Sequence, residues 1–343
     1  MLRGDGAFRS VHELGGPDAL FHLARWRRIS ETIGSLRPDI VHTHGGIWTP
    51  FLAMSPAFRL PVVLSIYAWP RLPSLARMPR GAWAEMRSTA VLPGRVVLST
   101  LLPRMAVGAA LRRRNVGGVL TQDPLLAAEL STSLGVSVRL TGGGGEIDHL
   151  RAHYERERPV IVFAGRAETT RGIDTLLMAM PAVLEAFPLA RLKLLLLPTR
   201  QVDGLEQQIK SLGIAGHVDV DCSPVDDLRE QLARCTLSVF PFKYDGTTIA
   251  PPYTVVEAMS VGLPVIGTRV ACLSPILVDS RNGSVVPVDD PGALAAAIQN
   301  VLSDGATWGA LSVGALETVD RSWSWGRAAR VTAELYEEVL AST

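Results

Sequence analysis

Lysine is almost missing from this 343-residue chain: Lys193, Lys210 and Lys243 stand against 31 arginines. The bias reads as genome composition, not function. Cysteine is as scarce. Cys222, Cys235 and Cys272 form an odd set with no CxxC spacing. That excludes a disulfide framework and a cysteine zinc site, and it points to a reducing compartment. Net charge is close to zero, at +1, which gives no reason to expect a nucleic-acid partner. No apolar run is long enough to span a bilayer. The longest candidate, Val91 to Leu111, is interrupted by Arg95 and Arg104 and broken by Pro93 and Pro103. Arg3, Asp5 and Arg9 interrupt any early apolar run, so no secretory signal is expected at this start. GxSxG, HExxH, kinase and P-loop signatures are missing, as are internal repeats and low-complexity tracts.

What is present suits a large folded protein. Hydrophobic residues make up 47% and charged residues 20%, enough to bury sizeable cores, and the length favours two domains. The halves differ in charge. Residues 1–150 hold 17 basic and 10 acidic residues, a net of +7, whereas residues 151–343 hold 17 and 23, a net of −6. A basic half fits an anionic acceptor or a peripheral membrane contact ending at Arg112, Arg113 and Arg114. It equally fits chance on a solvated surface. A cytoplasmic location is expected, with the inner membrane face as one option.

Helical periodicity covers Asp18 to Leu36. Strands are expected at Asp39 to His44, turning out at Gly45–Gly46, then at Leu60 to Ile66, Gly117 to Thr121 and Val136 to Leu140. A helix from Pro124 to Leu134 lies between the last two. The polar run His149 to Arg158 reads as a linker. Beyond it, strands at Val160–Ala164, Leu192–Leu197, His217–Val220, Leu237–Pro241 and Val285–Val288 alternate with helices at Asp174–Phe187, Leu205–Leu212, Leu228–Ala233 and Pro291–Leu302. A final amphipathic helix runs from Trp325 to Leu340. Alternation in both halves predicts an α/β chain of two Rossmann-like, doubly wound parallel-sheet domains, residues 1–150 and 151–322, facing a cleft. Residues 323–343 would form the closing helix.

The stretch Pro251–Thr268, PPYTVVEAMSVGLPVIGT, is the most informative. It reads as a short helix, with Thr254 and Glu257 spaced as a capping box, ended by Gly262 and followed by a buried strand. A helix N-terminus at a sheet's carboxyl edge is an anion site, and Glu257 could face whatever binds there. Gly165–Arg166 and Arg171–Gly172 flank one loop after a strand. Two guanidiniums so placed fit a diphosphate clamp, and equally two surface arginines. Asp245 before Gly246 could bind sugar hydroxyls or simply make a turn. His42 and His44 share a strand face. No third ligand has metal spacing, so one reads as a structural histidine and the other as facing the cleft. Gly142–Gly145 reads as a hinge or turn.

These pieces, in this order, resemble the family 4 group of retaining glycosyltransferases, which have the two-domain GT-B fold. RPDIVHTH resembles the family's first-domain strand. FAGRAETTRGIDTLLMAM resembles the first strand and phosphate loop of the second domain, and VVEAMSVGLPVIGT the signature near the nucleotide. LGIAGHVDVDCSPVDDLREQLARCTLSVFP resembles the base-recognition region, and SWSWGRAARVTAELY the helix that crosses back to the first domain. The resemblance implies transfer of a sugar from a nucleotide-diphosphate donor to an acceptor hydroxyl with retention, using no cofactor or metal. It puts Gly165, Arg166 and Arg171 on the diphosphate, backbone N–H groups of Thr254 and Val255 on a phosphate, Glu257 on the ribose and Val225 near the base. His44 and Asp245 are the candidates for catalysis. The departures are Arg171 where the family has lysine, Ile249 where it has a glutamate, and Tyr67 where it has a sugar-contacting histidine. The family's opening strand and glycine-rich loop are not visible, so a shortened or truncated first domain is expected. These departures leave a second expectation open, a non-catalytic GT-B partner of another transferase.

Overall fold

The computed structural model describes residues 31–46, 60–68, 104–197, 203–244 and 248–342. Two parallel sheets organise them. The first joins β1 (Val41–Gly46), β2 (Val62–Ala68), β3 (Val116–Thr121) and β4 (Val138–Leu140) in chain order. The second contains β5 (Val160–Arg166), β6 (Arg191–Leu197), β7 (Val218–Asp221), β8 (Leu237–Phe240), β9 (Val265–Thr268) and β10 (Gly283–Val286). Its spatial order is β10-β9-β8-β5-β6-β7, parallel at every pairing. Strands β8 and β9 are buried along their whole length, as expected of apolar runs covered on both faces. The chain steps outward from β5 to β7, then returns to β8 and steps the other way. Neighbours β5 and β8 therefore send their connections to opposite sides, and a crevice opens at their carboxyl ends.

The helices are α1 (Arg104–Leu111), α2 (Pro124–Leu134), α3 (Ile173–Ala186), α4 (Asp203–Ser211), α5 (Leu228–Ala233), α6 (Tyr253–Ser260), α7 (Pro291–Ser303), α8 (Gly305–Thr318) and α9 (Trp325–Ala341). Residues 31–36 are helical as well; the earlier part of that expected helix lies outside the described residues. Helix α2 shows how local chemistry sets an element. Asp123 caps it by accepting from the Leu125 and Leu126 N–H groups, Pro124 opens it, and Gly135 closes it at φ 61°. Helix α1 occupies the end of the interrupted apolar stretch, and its Val107 and Leu111 join the core under β2 and β3. Strand β1 continues through Gly45–Gly46 instead of turning there, because both still pair with β2. Strand β10 begins two residues before the expected Val285, where Gly283 pairs with Val265. Helix α8 was not foreseen at all. It runs into a π-helical turn, Val319–Trp323.

Two connections join the sheets, and they are tied together. The Gly145 N–H donates to the Trp323 carbonyl and the Trp325 N–H to the Gly145 carbonyl, both at 3.0 Å. Gly142, at φ 68°, lies so close to the Ser322 carbonyl that no side chain fits. The glycine run is therefore a close-packed crossing. Helix α9 then returns to the first sheet. Leu335 and Val339 pack on Val63 and Leu120, worth roughly 1.5–3 kcal/mol per buried side chain. Gly117 and Gly118 in β3 make room for it: a Cβ on either would press to 2.7 Å against Val339 or Leu335. Arg139 and Glu338 add an ion pair across the same contact.

Candidate functional site

Strand β5 delivers Gly165 and Arg166 to the crevice, and a 3-10 turn (Thr169–Arg171) brings Arg171 back beside them. Gly172 holds the turn. It sits at φ 70°, and any side chain there would overlap the Pro241 carbonyl oxygen at the end of β8. Glu168 joins the two arginines. Its carboxylate lies 2.8 Å from Arg166 Nε and 3.5 Å from Arg171 Nε. The pair is unequal. The Arg166 side chain is 41% exposed, whereas that of Arg171 is 10% exposed and lies 5.1 Å over the Phe242 ring. Burial works against the Arg171 charge, and the neighbouring Glu168 supports it. The structure thus brings both predicted arginines together but offers Arg166 to a ligand.

Lys243 continues the same wall. Its Nζ donates to Asp174 at 2.7 Å, in the first turn of α3, and pairs with Asp289 at 2.6 Å. Burial disfavours its charge, yet the two carboxylates outweigh burial and hold its pKa above the usual range. Sequence reading missed Glu168 and Lys243. A lone lysine among arginines, directly after a buried strand, was the available signal.

Helix α6 differs from the expected capping box. Pro252 is the N-cap, extended at φ −63° and ψ 137°, and no side chain caps the helix. Thr254 is already inside it, and Glu257 lies a turn further in than an N-terminal carboxylate would. The Val255 N–H, expected to meet a phosphate, donates to the Pro252 carbonyl at 3.1 Å. The Thr254 N–H has no partner among the described residues. The anion site of the helix therefore shifts one residue toward its start. Gly262, at φ 71°, ends the helix as expected.

Glu257 is the most perturbed carboxyl of the site. Burial raises its pKa to about 7, Asp227 adds repulsion, and Arg229 opposes both. Arg229 is committed elsewhere: it pairs with Asp148 and, at 3.4 Å, with Glu146. Asp227 caps α5 by accepting from the Arg229 N–H at 2.9 Å. Glu257 thus has no full counter-charge, and a ligand donating hydrogen bonds would relieve it.

The carboxyl edge of the first sheet contributes a ring cluster. His44 Nδ1 lies 2.6 Å from the Tyr67 hydroxyl, and the His42 and His44 rings are 4.0 Å apart. His42 is saturated: Nδ1 bonds the Tyr336 hydroxyl of α9 and Nε2 lies 2.7 Å from Ser65 Oγ. Burial, and then His44, lowers the His42 pKa to about 4. His44 has an exposed edge, but its ring leans on its neighbours, and that desolvation lowers its pKa too. His42 is the structural histidine and His44 the accessible one. Tyr253, the first residue of α6, donates to Gln122 Oε1 at 2.6 Å and so links the sheets across the crevice. Val225 is exposed in the loop before α5. Asp245 lies outside the described residues. No group of three His, Cys, Asp or Glu side chains among the described residues could hold a metal.

Residues 158–304 match the family Glycosyl transferases group 1. Among curated relatives, the phosphatidyl-myo-inositol mannosyltransferase of Mycolicibacterium smegmatis is 29% identical over 187 residues, covering 54% of this chain and 47% of its own length. The chain thus spans about half of that relative. Among solved structures, sucrose-phosphate synthase from Thermosynechococcus elongatus superposes with a TM-score of 0.71 at 18% identity, covering 93% of this chain and 79% of its own. HepE from Anabaena, in complex with UDP and glucose, superposes with a TM-score of 0.67 at 15% identity, covering 92% and 81%. The fold is GT-B, as these superpositions show for the two parallel sheets. No described helix is long and apolar enough to cross a membrane.

Proposed function

We propose that this chain is a retaining, metal-independent glycosyltransferase that moves a sugar from a nucleotide-diphosphate donor to an acceptor hydroxyl. One observation carries the reading: Arg166, the Arg171–Glu168 pair, the uncapped start of α6 and Glu257 stand on or beside a single strand-order reversal. The match of residues 158–304 to group 1 glycosyl transferases and the UDP bound by HepE support a nucleotide-linked donor. Arg166 faces the donor diphosphate and Arg171 supports it from behind. The N-terminus of α6 supplies further positive potential, and Glu257 accepts from the ribose hydroxyls. Val225 lies toward the base. In the transfer, the bond from the anomeric carbon to the phosphate oxygen breaks as a bond to the acceptor oxygen forms on the same face. The acceptor proton passes to the departing phosphate. The chain's part is orientation and charge stabilisation. His44, braced by Tyr67, and Asp245 are the side chains assigned to the reacting sugar and acceptor. The basic first half is the acceptor side.

Calorimetry with UDP and GDP tests this reading. One of them should bind the wild type at micromolar strength, and Arg166→Ala should abolish binding. If neither nucleotide binds, the proposal fails. Ile249, where the family has a glutamate, favours a second reading, a donor-binding but non-catalytic partner. Donor turnover by the purified chain alone would eliminate that one.

A further inference from the structure

A pocket of about 290 Å³ lies beside the crossing of the two connections, separate from Arg166, Arg171 and Glu257. Its walls come from both halves of the molecule: Gln122 and Gly142 on one side, and Arg281, Arg321, Arg327 and Trp323 on the other. No acidic residue lines it. None of the three arginines has an ion-pair partner among the described residues. Two of the acids that adjoin the wall in sequence are engaged by backbone N–H groups. Asp123 accepts from the Leu125 and Leu126 N–H groups, and Asp279 from the Val285 N–H. A second observation points the same way. Gln122 is 2% exposed, and its amide nitrogen finds no partner among the described residues. A buried donor left unpaired is costly, and three uncompensated guanidiniums around a hollow attract anions strongly.

We propose that this pocket binds a phosphate-bearing small anion, gripped by Arg281, Arg321 and Arg327 with the Gln122 amide at its back. Planar guanidiniums match phosphate oxygens, and the volume suits a pyrophosphate or a sugar phosphate. The site spans the two halves, and Gln122 also accepts from Tyr253 at the start of α6. An occupant would therefore steady the donor helix and hold the halves together.

The test is calorimetric titration of inorganic pyrophosphate into wild type, Arg166→Ala, and Arg166→Ala with Arg321→Ala and Arg327→Ala added. Thermal melts check that each remains folded; Arg321 is exposed and Arg327 half-buried. Arg166→Ala separates this pocket from the proposed diphosphate site. It should keep pyrophosphate binding, and adding the two arginine substitutions to that background should weaken it at least tenfold. Raising salt from 0.05 to 0.5 M should weaken binding in wild type. Loss of binding in Arg166→Ala, or unchanged binding when Arg321→Ala and Arg327→Ala are added to it, overturns the proposal. Glucose 6-phosphate binding more tightly than inorganic phosphate would identify the occupant as a phosphorylated sugar. Equal binding would identify free phosphate or pyrophosphate.

Discussion

Nucleotide binding should expel a proton from Glu257. Its pKa near 7 comes from burial first, then Asp227, with Arg229 too engaged with Asp148 and Glu146 to cancel them. At pH 6.5 such a carboxyl is roughly three-quarters protonated. Ribose hydroxyls that donate to it favour the ionised form and draw the pKa back toward the ordinary range of about 4.5. About 0.7 proton should then leave per nucleotide bound at pH 6.5, falling below about 0.1 at pH 8. Because the complex prefers the ionised carboxylate, affinity should climb as pH rises toward 7 and level off above it. Calorimetry of UDP or GDP in buffers of different ionisation heat counts the protons. The nucleotide's own terminal phosphate titrates near pH 6, so Glu257→Gln serves as the reference, and the difference between the two proteins belongs to Glu257. In the free protein the sign is opposite. The folded state keeps a proton that the unfolded chain releases above pH 4.5, so Glu257 costs stability as pH rises from 4.5 to 7, by as much as about 3 kcal/mol. Glu257→Gln should accordingly melt higher than wild type at pH 8. Equal proton counts for the two proteins across pH 6 to 8 would refute the placement of Glu257 on the nucleotide.

Three further outcomes are expected. Lys243→Ala leaves Asp174 and Asp289 facing each other with no cation, and a chemical-denaturation midpoint should report a loss of about 3 kcal/mol. Gly172→Ala meets both the left-handed backbone and the Pro241 carbonyl, so it should cost about 3 kcal/mol or more and also weaken nucleotide binding by moving Arg171. His42, whose folded pKa is about 4, should destabilise the protein as pH falls from 6.5 toward 4, because the unfolded chain takes up the proton first. The effect is on the order of 2–3 kcal/mol, and His42→Asn should flatten the wild-type fall in melting temperature over that window.

The second half of the molecule was readable because most of its strands are apolar runs bounded by glycine or proline, and because Gly165 and Arg166 end one of them. Helix α8 was not, since GATWGALSVGALET carries no apolar stripe. Its glycines look like breakers, yet Gly314 is there because the helix passes against the Arg281 carbonyl. Thr254 and Glu257 have capping-box spacing, but Pro252 fixes the extended N-cap two residues earlier. Glu168 lies between two arginines that spacing alone could pair only with a ligand. The Lys243 triad joins Lys243 to Asp174, 69 residues away, and to Asp289, 46 residues on, and the Tyr336–His42 bond joins residues 294 apart. No local pattern encodes contacts of that range.

The seat that Gly117 and Gly118 make for α9 has a consequence for how the chain is made. Strand β3 leaves the ribosome about 200 residues before Leu335 and Val339 do, an interval of roughly 10–40 s at usual synthesis rates. Throughout that time the face carrying Val63 and Leu120 waits uncovered. The half that is synthesised first is therefore the half completed last, and a chaperone would find its foothold there.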